Sequence, residues 1–372
     1  MKLDQINHEL ILNNNDIRRL ACDSALKFIG IMFENVTGTQ QSKNIDHLHD
    51  MRVASRKLRE CFRIFSSFYV SGKPNKLLKR VKKVTRILGI PREMDVNVAL
   101  LRAYKARSSP VAQTTHEYLL EIFEFEQARR RQKMLRAFDK LKLKALQSDL
   151  THFAQTASSQ SQTPHLLADM RQIDEARAFM NHATQILEKR AAAILSFQHA
   201  FSASQVNRDE EFHLLRIKVK KCRYCLEMLH PLYMNQFEKS IGLAKELQDV
   251  LGQFHDIAVL IRILNIHRVH LMETNRIHLV KGCQQIVADL GELRTQLVPR
   301  VAPTYDSFLL ELGHILNVGS KSSRSSEALA EVEVHIQDSV SDIQKMRALF
   351  SARKSLDLLD HSEKGNLKGR VM

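Results

Sequence analysis

Tryptophan is absent from the 372 residues, phenylalanine and tyrosine number only 17 and 6, and glycine and proline only 12 and 7. Few aromatics leave little for the stacking platforms that hold single-stranded nucleic acid. Few Gly and Pro exclude the many tight turns of an all-β chain. No uninterrupted apolar stretch approaches eighteen residues, so no membrane span is expected. Met1 to Leu12 has no basic segment followed by an apolar run, and the expected location is cytoplasmic. The five cysteines are an odd number without a small-scaffold framework, which points to a reducing compartment. Cys222 and Cys225 form a C-x-x-C on a helical pattern and read as buried thiols rather than a redox or zinc pair.

Recognisable catalytic signatures are missing too. The chain has no Walker loop, nucleophile elbow or paired carboxylate site, so no enzyme and no cofactor are expected. His47-x-His49 and His267-x-x-His270 are fragments of metal-ligand spacing without a carboxylate cluster, and no metal site is expected. Glu331-x-Glu333-x-His335 lacks both a closing Lys and partner strands, and is set aside.

What remains is rich in Leu, Ala, Lys, Arg, Glu and Gln, the composition of an all-α protein. A net charge of +15 implies a polyanionic partner: nucleic acid, an acidic membrane surface or a phosphate polymer. The charge is patterned. At helical spacing His49, Arg52, Arg56, Arg59 and Arg63 share one side of a helix, a column about 21 Å long at about 1.5 Å per residue. Leu48, Met51, Ala54, Leu58, Phe62 and Phe65 lie on other faces and supply the core contact. The same pattern returns as His213, Arg216, Lys220, Lys221 and Arg223, matching Lys57 as well, so the chain reads as an internal duplication.

Helices are predicted over about 16–36, 44–70, 75–88, 92–106, 110–150, 168–201, 208–230, 235–251, 254–273 and on to about 316. Two polar linkers, 156–164 and 317–326, precede a further helix over about 327–359. The implied architecture is two antiparallel helical bundles related by a pseudo-two-fold axis, with a basic cavity between them. The expected domains are 1–157 for the first bundle, 158–318 for the second, and 319–372 for a linker, C-terminal helix and tail. Lys76, Lys79, Arg80, Lys83 and Arg86 form a further basic stripe beside Leu77, Val81, Val84 and Leu88. Arg129-Arg130-Arg131 reads as a solvated helix surface or a peripheral patch rather than part of the cavity.

Leu88-Gly89-x-x-Arg92-Glu93 has its counterpart in Leu251-Gly252-x-x-His255-Asp256, carrying the duplication beyond the basic helices. With His49-x-x-Arg52-Val53-x-x-Arg56-Lys57-Leu58-Arg59, Phe65, Asp95-Val96 and the second-half equivalents, the chain resembles the CHAD (conserved histidine α-helical) domain family over about residues 10 to 315. That resemblance implies two helical bundles forming a basic cavity that binds inorganic polyphosphate, in some members at polyphosphate granules.

A phosphate polymer offers charge at every unit and no bases, so its receptor needs dense Arg and Lys. The expected contacts are His49, Arg52, Arg56, Lys57, Arg59, Arg63, Lys76, Lys79, Lys82, Lys83, Arg86, His213, Arg216, Lys220, Lys221 and Arg223. The two histidines either donate to phosphate when protonated or hydrogen-bond across helices and orient the arginines. Residues 43–107 hold 17 basic and 5 acidic side chains, residues 207–270 only 10 and 8, so the first repeat is expected to dominate. Glu227 stands where Arg63 does, and Glu246 and Asp249 where Lys83 and Arg86 do. The competing reading is a nucleic-acid-binding protein using the same surface.

Overall fold

In a computed structural model the described residues are 14–41, 45–69, 75–104, 110–157, 166–198, 208–234 and 236–317, and all their regular structure is helical. In chain order the helices are α1 (Asn14–Gln41), α2 (Ile45–Ile64), α3 (Asn75–Ile87), α4 (Gly89–Tyr104) and α5 (Pro110–Asp139). They continue as α6 (Leu143–Gln155), α7 (Leu166–Leu195), α8 (Arg208–Leu229), α9 (Glu238–Glu273) and α10 (Ile277–Asn317). Residues 14–316 belong to one compact unit. Most of the 156–164 linker, the 317–326 linker after Asn317, the 327–359 helix and the Glu331 motif lie outside the described residues.

The basic-column helices α2 and α8 present their apolar faces inward as their spacing predicts. Leu48, Met51, Ala54, Leu58, Phe62 and Phe65 are all buried, as are Phe212, Leu215, Val219, Cys222, Cys225 and Leu226. α2 packs chiefly on α1, α8 packs on α9 and α7, and α2 and α8 meet each other. All five cysteines are buried and unpaired, and burial pushes the Cys61 and Cys225 thiols up to about 12.

Several predicted boundaries move: α1 runs on to Gln41 instead of ending near residue 36, and α4 starts at Gly89 instead of residue 92. α2 ends at Ile64 rather than near Val70, giving way to a 3-10 turn over Ser66–Phe68 that buries Phe68. The 110–150 stretch breaks at residues 140–142 although it holds no Gly or Pro there. The break lets α6 lie along α1 and bring Phe153 against Phe62 and Tyr69, with centroids 5.2 and 4.9 Å away. The predicted break near Gly252 does not occur, and α9 runs unbroken for 36 residues.

The two halves differ here because of one residue. Pro91 of α4 cannot donate to the carbonyl four residues back, and its ring crowds that carbonyl; the residue is Ile87, where α3 stops. Pro91 therefore sits in the first turn of a new helix, where a missing N–H costs nothing. Phe254 occupies the matching place in the second half and lets the helix continue.

The halves share an interior. Phe179 of α7 stacks on Phe65 at 5.4 Å and packs on Phe68 at 5.0 Å, and all three rings are buried. Tyr305 of α10 donates to the Ile194 carbonyl at 2.9 Å. Phe179→Ala should cost about 3–5 kcal/mol, the usual range for emptying a buried aromatic site. A loss of less than about 1 kcal/mol in the unfolding free energy from urea denaturation would show that the ring is not part of a shared core.

Candidate functional site

A cavity of about 1150 Å³ opens between α2, α4, α8 and α9. α2 lines it with His49, Arg52, Arg56, Arg59 and Arg63; α8 with His213, Arg216, Lys220, Lys221, Arg223 and Tyr224. α4 adds Arg92, and α9 adds His255, Asp256 and Arg262. The lining holds ten Arg and Lys against five Asp and Glu, so its net charge is positive before histidine is counted. Ten of the sixteen residues singled out from the sequence are brought together here.

The other six are elsewhere. Lys57 reaches across to Glu227 at 2.6 Å and lies 5.6 Å from the Tyr224 ring centroid and 5.9 Å from that of Phe28, tying α2 to α8 rather than lining the cavity. Lys76, Lys79, Lys82, Lys83 and Arg86 are exposed on α3 and do not line it. Of the arginine run, Arg129 and Arg130 hold Glu126 at 2.6 and 2.8 Å and Arg131 approaches Asp95 at 3.6 Å, away from the cavity.

The cavity cations act on one another. Burial, then the charges of Arg56 and Arg92, lowers Arg52 to about 10, which leaves it charged at neutral pH. Burial and Arg216 lower Arg56, while Tyr224 opposes them by accepting a hydrogen bond. Burial, then Arg216, Arg56, Arg52 and Arg223, brings Lys220 to about 7, where an ammonium is half discharged. Residues of α2 and α8 thus raise each other's cost of carrying charge across the cavity. Among the described residues no carboxylate pairs within ion-pair distance with Arg52, Arg56, Arg59, Arg216 or Lys220.

Two carboxylates pair with cations at the edges of these columns. Glu60 takes Arg63 at 2.7 Å and also pairs with Arg190 of α7, which donates in addition to the Lys221 carbonyl. Glu227 holds Lys57 and, at 3.3 Å, Arg223. Glu93, Asp209, Glu210 and Asp256 line the cavity as Glu60 does. Burial raises the Asp256 carboxyl against the opposing pull of Arg216, Arg92 and Lys220.

The histidines are placed in two parallel ways. His49 is held below its ordinary value by surrounding protein and then by Arg92, against Asp50 and Asp46. His213 is lowered by burial, Arg216 and Lys220, and its Nδ1 lies 3.2 Å from Nδ1 of His255. Burial and His213 take His255 down to about 4, so the pair resists double protonation. Among the described residues no group of three or more His, Cys, Asp or Glu is arranged to hold a metal ion.

Arg92, His255, Asp256, Tyr224 and Arg262 were not among the residues singled out. Arg92 and His255-Asp256 were visible as ends of the matched Leu-Gly motifs, and Arg262 follows His255 by two helical turns. Tyr224 gave no signal, since its place between buried cysteines reads as core.

The first Leu-Gly motif has a steric reason that the second lacks. A methyl at Gly89 would stand 2.5 Å from Nη1 of Arg52, and one at Gly252 would stand 3.5 Å from Nε and Nη2 of Arg216. Each glycine faces the arginine of its own His-x-x-Arg motif, tightly in one half and at ordinary contact in the other. Gly252→Ala should therefore gain about 0.5–1 kcal/mol from helix propensity. Gly89→Ala should show no such gain because it displaces the Arg52 guanidinium. Thermal midpoints of the two variants check this, and an equal rise in both would refute the close approach.

The CHAD domain family model matches residues 25–265. The crystal structure of the CHAD domain from the plant Ricinus communis superposes with a TM-score of 0.58 at 18% identity, covering 78% of this chain and 91% of that one. PptA from Streptomyces chartreusis gives a TM-score of 0.48 at 14% identity, covering 80% and 98%. No curated protein matches the chain. The Ricinus likeness speaks for the fold alone, and the matched span takes in both basic helices and both Leu-Gly motifs: the chain belongs to the CHAD-domain family.

Proposed function

We propose that the cavity binds inorganic polyphosphate without acting on it, between two repeats that arose by internal duplication. The family is associated in general with polyphosphate binding. The observation that carries the reading is the set of unpaired cations from α2 and α8 lining one cavity, where burial and neighbouring like charges, Arg216 among them, lower Arg52, Arg56 and Lys220. Such a group is unfavourable when empty and becomes favourable only when an anion of high charge density enters. Duplication is supported by the paired approaches of Arg52 to Gly89 and Arg216 to Gly252, and by His49 beside Arg92 where His213 lies beside His255.

Nucleic acid fits less well. Tyr224 is the one aromatic besides histidine in the lining, and it is 5% exposed beneath Arg223, so it offers no face for a base. Competition decides between them: RNA that displaces long-chain polyphosphate at equal phosphate concentration and moderate salt would overturn the preference.

Replacing Arg52, Arg56 and Arg216 together with Ala should lower polyphosphate affinity by about two orders of magnitude or more, since charged hydrogen bonds contribute about 1.5–3 kcal/mol each. The ligand-free variant should melt no lower than the parent, because removing like charges relieves repulsion. Unchanged affinity would remove the site from this cavity.

Proton linkage gives a second test. The Lys220 value of about 7 in the folded protein lies below the ordinary lysine value of 10.5, so between these the unfolded chain binds more protons. Its destabilising effect is full below pH 7 and fades as pH rises toward 10.5. Polyanion restores the ammonium, so binding at pH 8 should take up protons and weaken as pH rises further. Titration calorimetry in two buffers of different ionisation enthalpy measures the uptake; Lys220→Met should reduce it, and equal uptake in both proteins would exclude Lys220 as its source.

A further inference from the structure

We propose that the outer face of α3 is a second docking surface, which takes up the part of a phosphate polymer that extends beyond the cavity. The inference rests on the polyphosphate reading of the cavity and adds a chain-length dependence to it.

α3 is amphipathic: Val81, Val84, Thr85 and Ile87 are buried, and Ser55 of α2 meets Thr85 at 2.8 Å. The opposite face shows Lys76, Lys79, Lys82, Lys83 and Arg86, all exposed. Among the described residues none of these five pairs with a carboxylate, while Arg80 on the flank is taken by Asp149. Five uncompensated cations thus follow one another along about 15 Å of helix. An ordinary solvated helix face mixes signs, as the Glu126 pairs do on α5.

The track is continuous with the cavity. Only Leu88 separates α3 from α4, and Gly89, three residues after Arg86, already lines the cavity. A polymer leaving along that wall meets Arg86 first and Lys76 last. The second half supplies an internal control. Its matching exposed positions are Lys239, Gly242, Lys245, Glu246 and Asp249, with Lys239 held by Glu311 at 2.6 Å, so the corresponding face carries no excess of positive charge. A polymer therefore has a basic path out of the cavity on one side only. Charge density without aromatic side chains favours a phosphate chain over a nucleic acid on this face as well.

The test uses the full chain and two probes, tripolyphosphate and a long-chain sodium polyphosphate, each titrated at two salt concentrations. A variant with Lys76, Lys79, Lys82, Lys83 and Arg86 changed to Ala should bind tripolyphosphate like the parent. Its long-chain affinity should fall about tenfold or more, and its log K against log salt slope should flatten by on the order of three. Lys239→Ala with Lys245→Ala should change neither probe's binding. Circular dichroism and the thermal midpoint check that the exposed substitutions leave the fold intact.

Long-chain affinity and salt slope equal to the parent's would overturn the proposal, as would an equal loss for both probes, which would indicate only a weaker overall field. Loss of RNA or anionic-vesicle binding with polyphosphate unaffected would assign the face to another partner and overturn it too. Failure of the underlying reading looks different: the Arg52, Arg56 and Arg216 variant would then bind tripolyphosphate as the parent does.

Discussion

Like charges held side by side in a half-buried cavity are the constraint that the rest of this structure answers. Two unit charges about 4 Å apart interact by about 4 kcal/mol at an effective dielectric near 20, a large part of a domain's total stability of about 5–15 kcal/mol. Burial, and after it repulsion from neighbours that include Arg92 and Arg216, lowers Arg52, Arg56 and Lys220. That repulsion is offset from behind. The apolar faces of α2 and α8 are anchored in the core, so neither helix can swing away without exposing Phe62, Leu58 or Leu215. Glu60 and Glu227 pair with cations on or behind the walls, which braces α2 against α7 and α8 while leaving the central cations unpaired.

Backbone geometry serves the same end by two routes. In the first half Pro91 ends one helix and starts another, and the bare Gly89 at that junction lets the Arg52 guanidinium lie against the chain. The second half has no proline there, and Gly252 sits in the middle of α9 with Arg216 against it. What is common is the absence of a side chain opposite each arginine. Close approach calls for a bare Cα at Gly89 only, since a methyl at Gly252 would make ordinary contact, and the break predicted near Gly252 is missing because Phe254 stands where the first half has Pro91.

Much of this was legible from spacing. The buried set on α2 and the ten cavity residues follow from a 3.6-residue period, which a helix must obey wherever it lies. The exact sequence match of His49 to His213 and Arg52 to Arg216 also carried information, since one repeated pattern constrains two helices at once. The α3 lysines were grouped with the cavity residues because amphipathicity reports that a face is exposed and not what lies in front of it. The break at 140–142 left no local mark either, because it is set by α6 packing on α1 and by Phe153 reaching Phe62. Arg92 and Asp256 lay in view as motif ends, but a charge at the start of a helix or beside a glycine does not reveal where the next helix will bring it.

The halves are unequal, and the inequality divides the labour of the cavity walls. Arginine stays charged through the neutral range, so the α2 wall with Arg52, Arg56, Arg59 and Arg63 presents a fixed field whether or not a ligand is present. Against His49 alone on the α2 wall, the opposite wall contains most of the titrating groups: Lys220 near 7, His213 lowered by burial and then Arg216, and His255 lowered by burial and then His213. Its charge therefore follows the occupant, because an entering anion offsets the repulsion that had removed the protons. Glu227, standing where the first half has Arg63, further reduces the standing charge of that wall by holding Arg223. Two fully charged walls would attract a polyanion more strongly but would repel each other more when empty. One fixed wall facing one adjustable wall lowers that cost, and under the proposed polyanion binding it would make occupancy a function of proton concentration as well as of ligand.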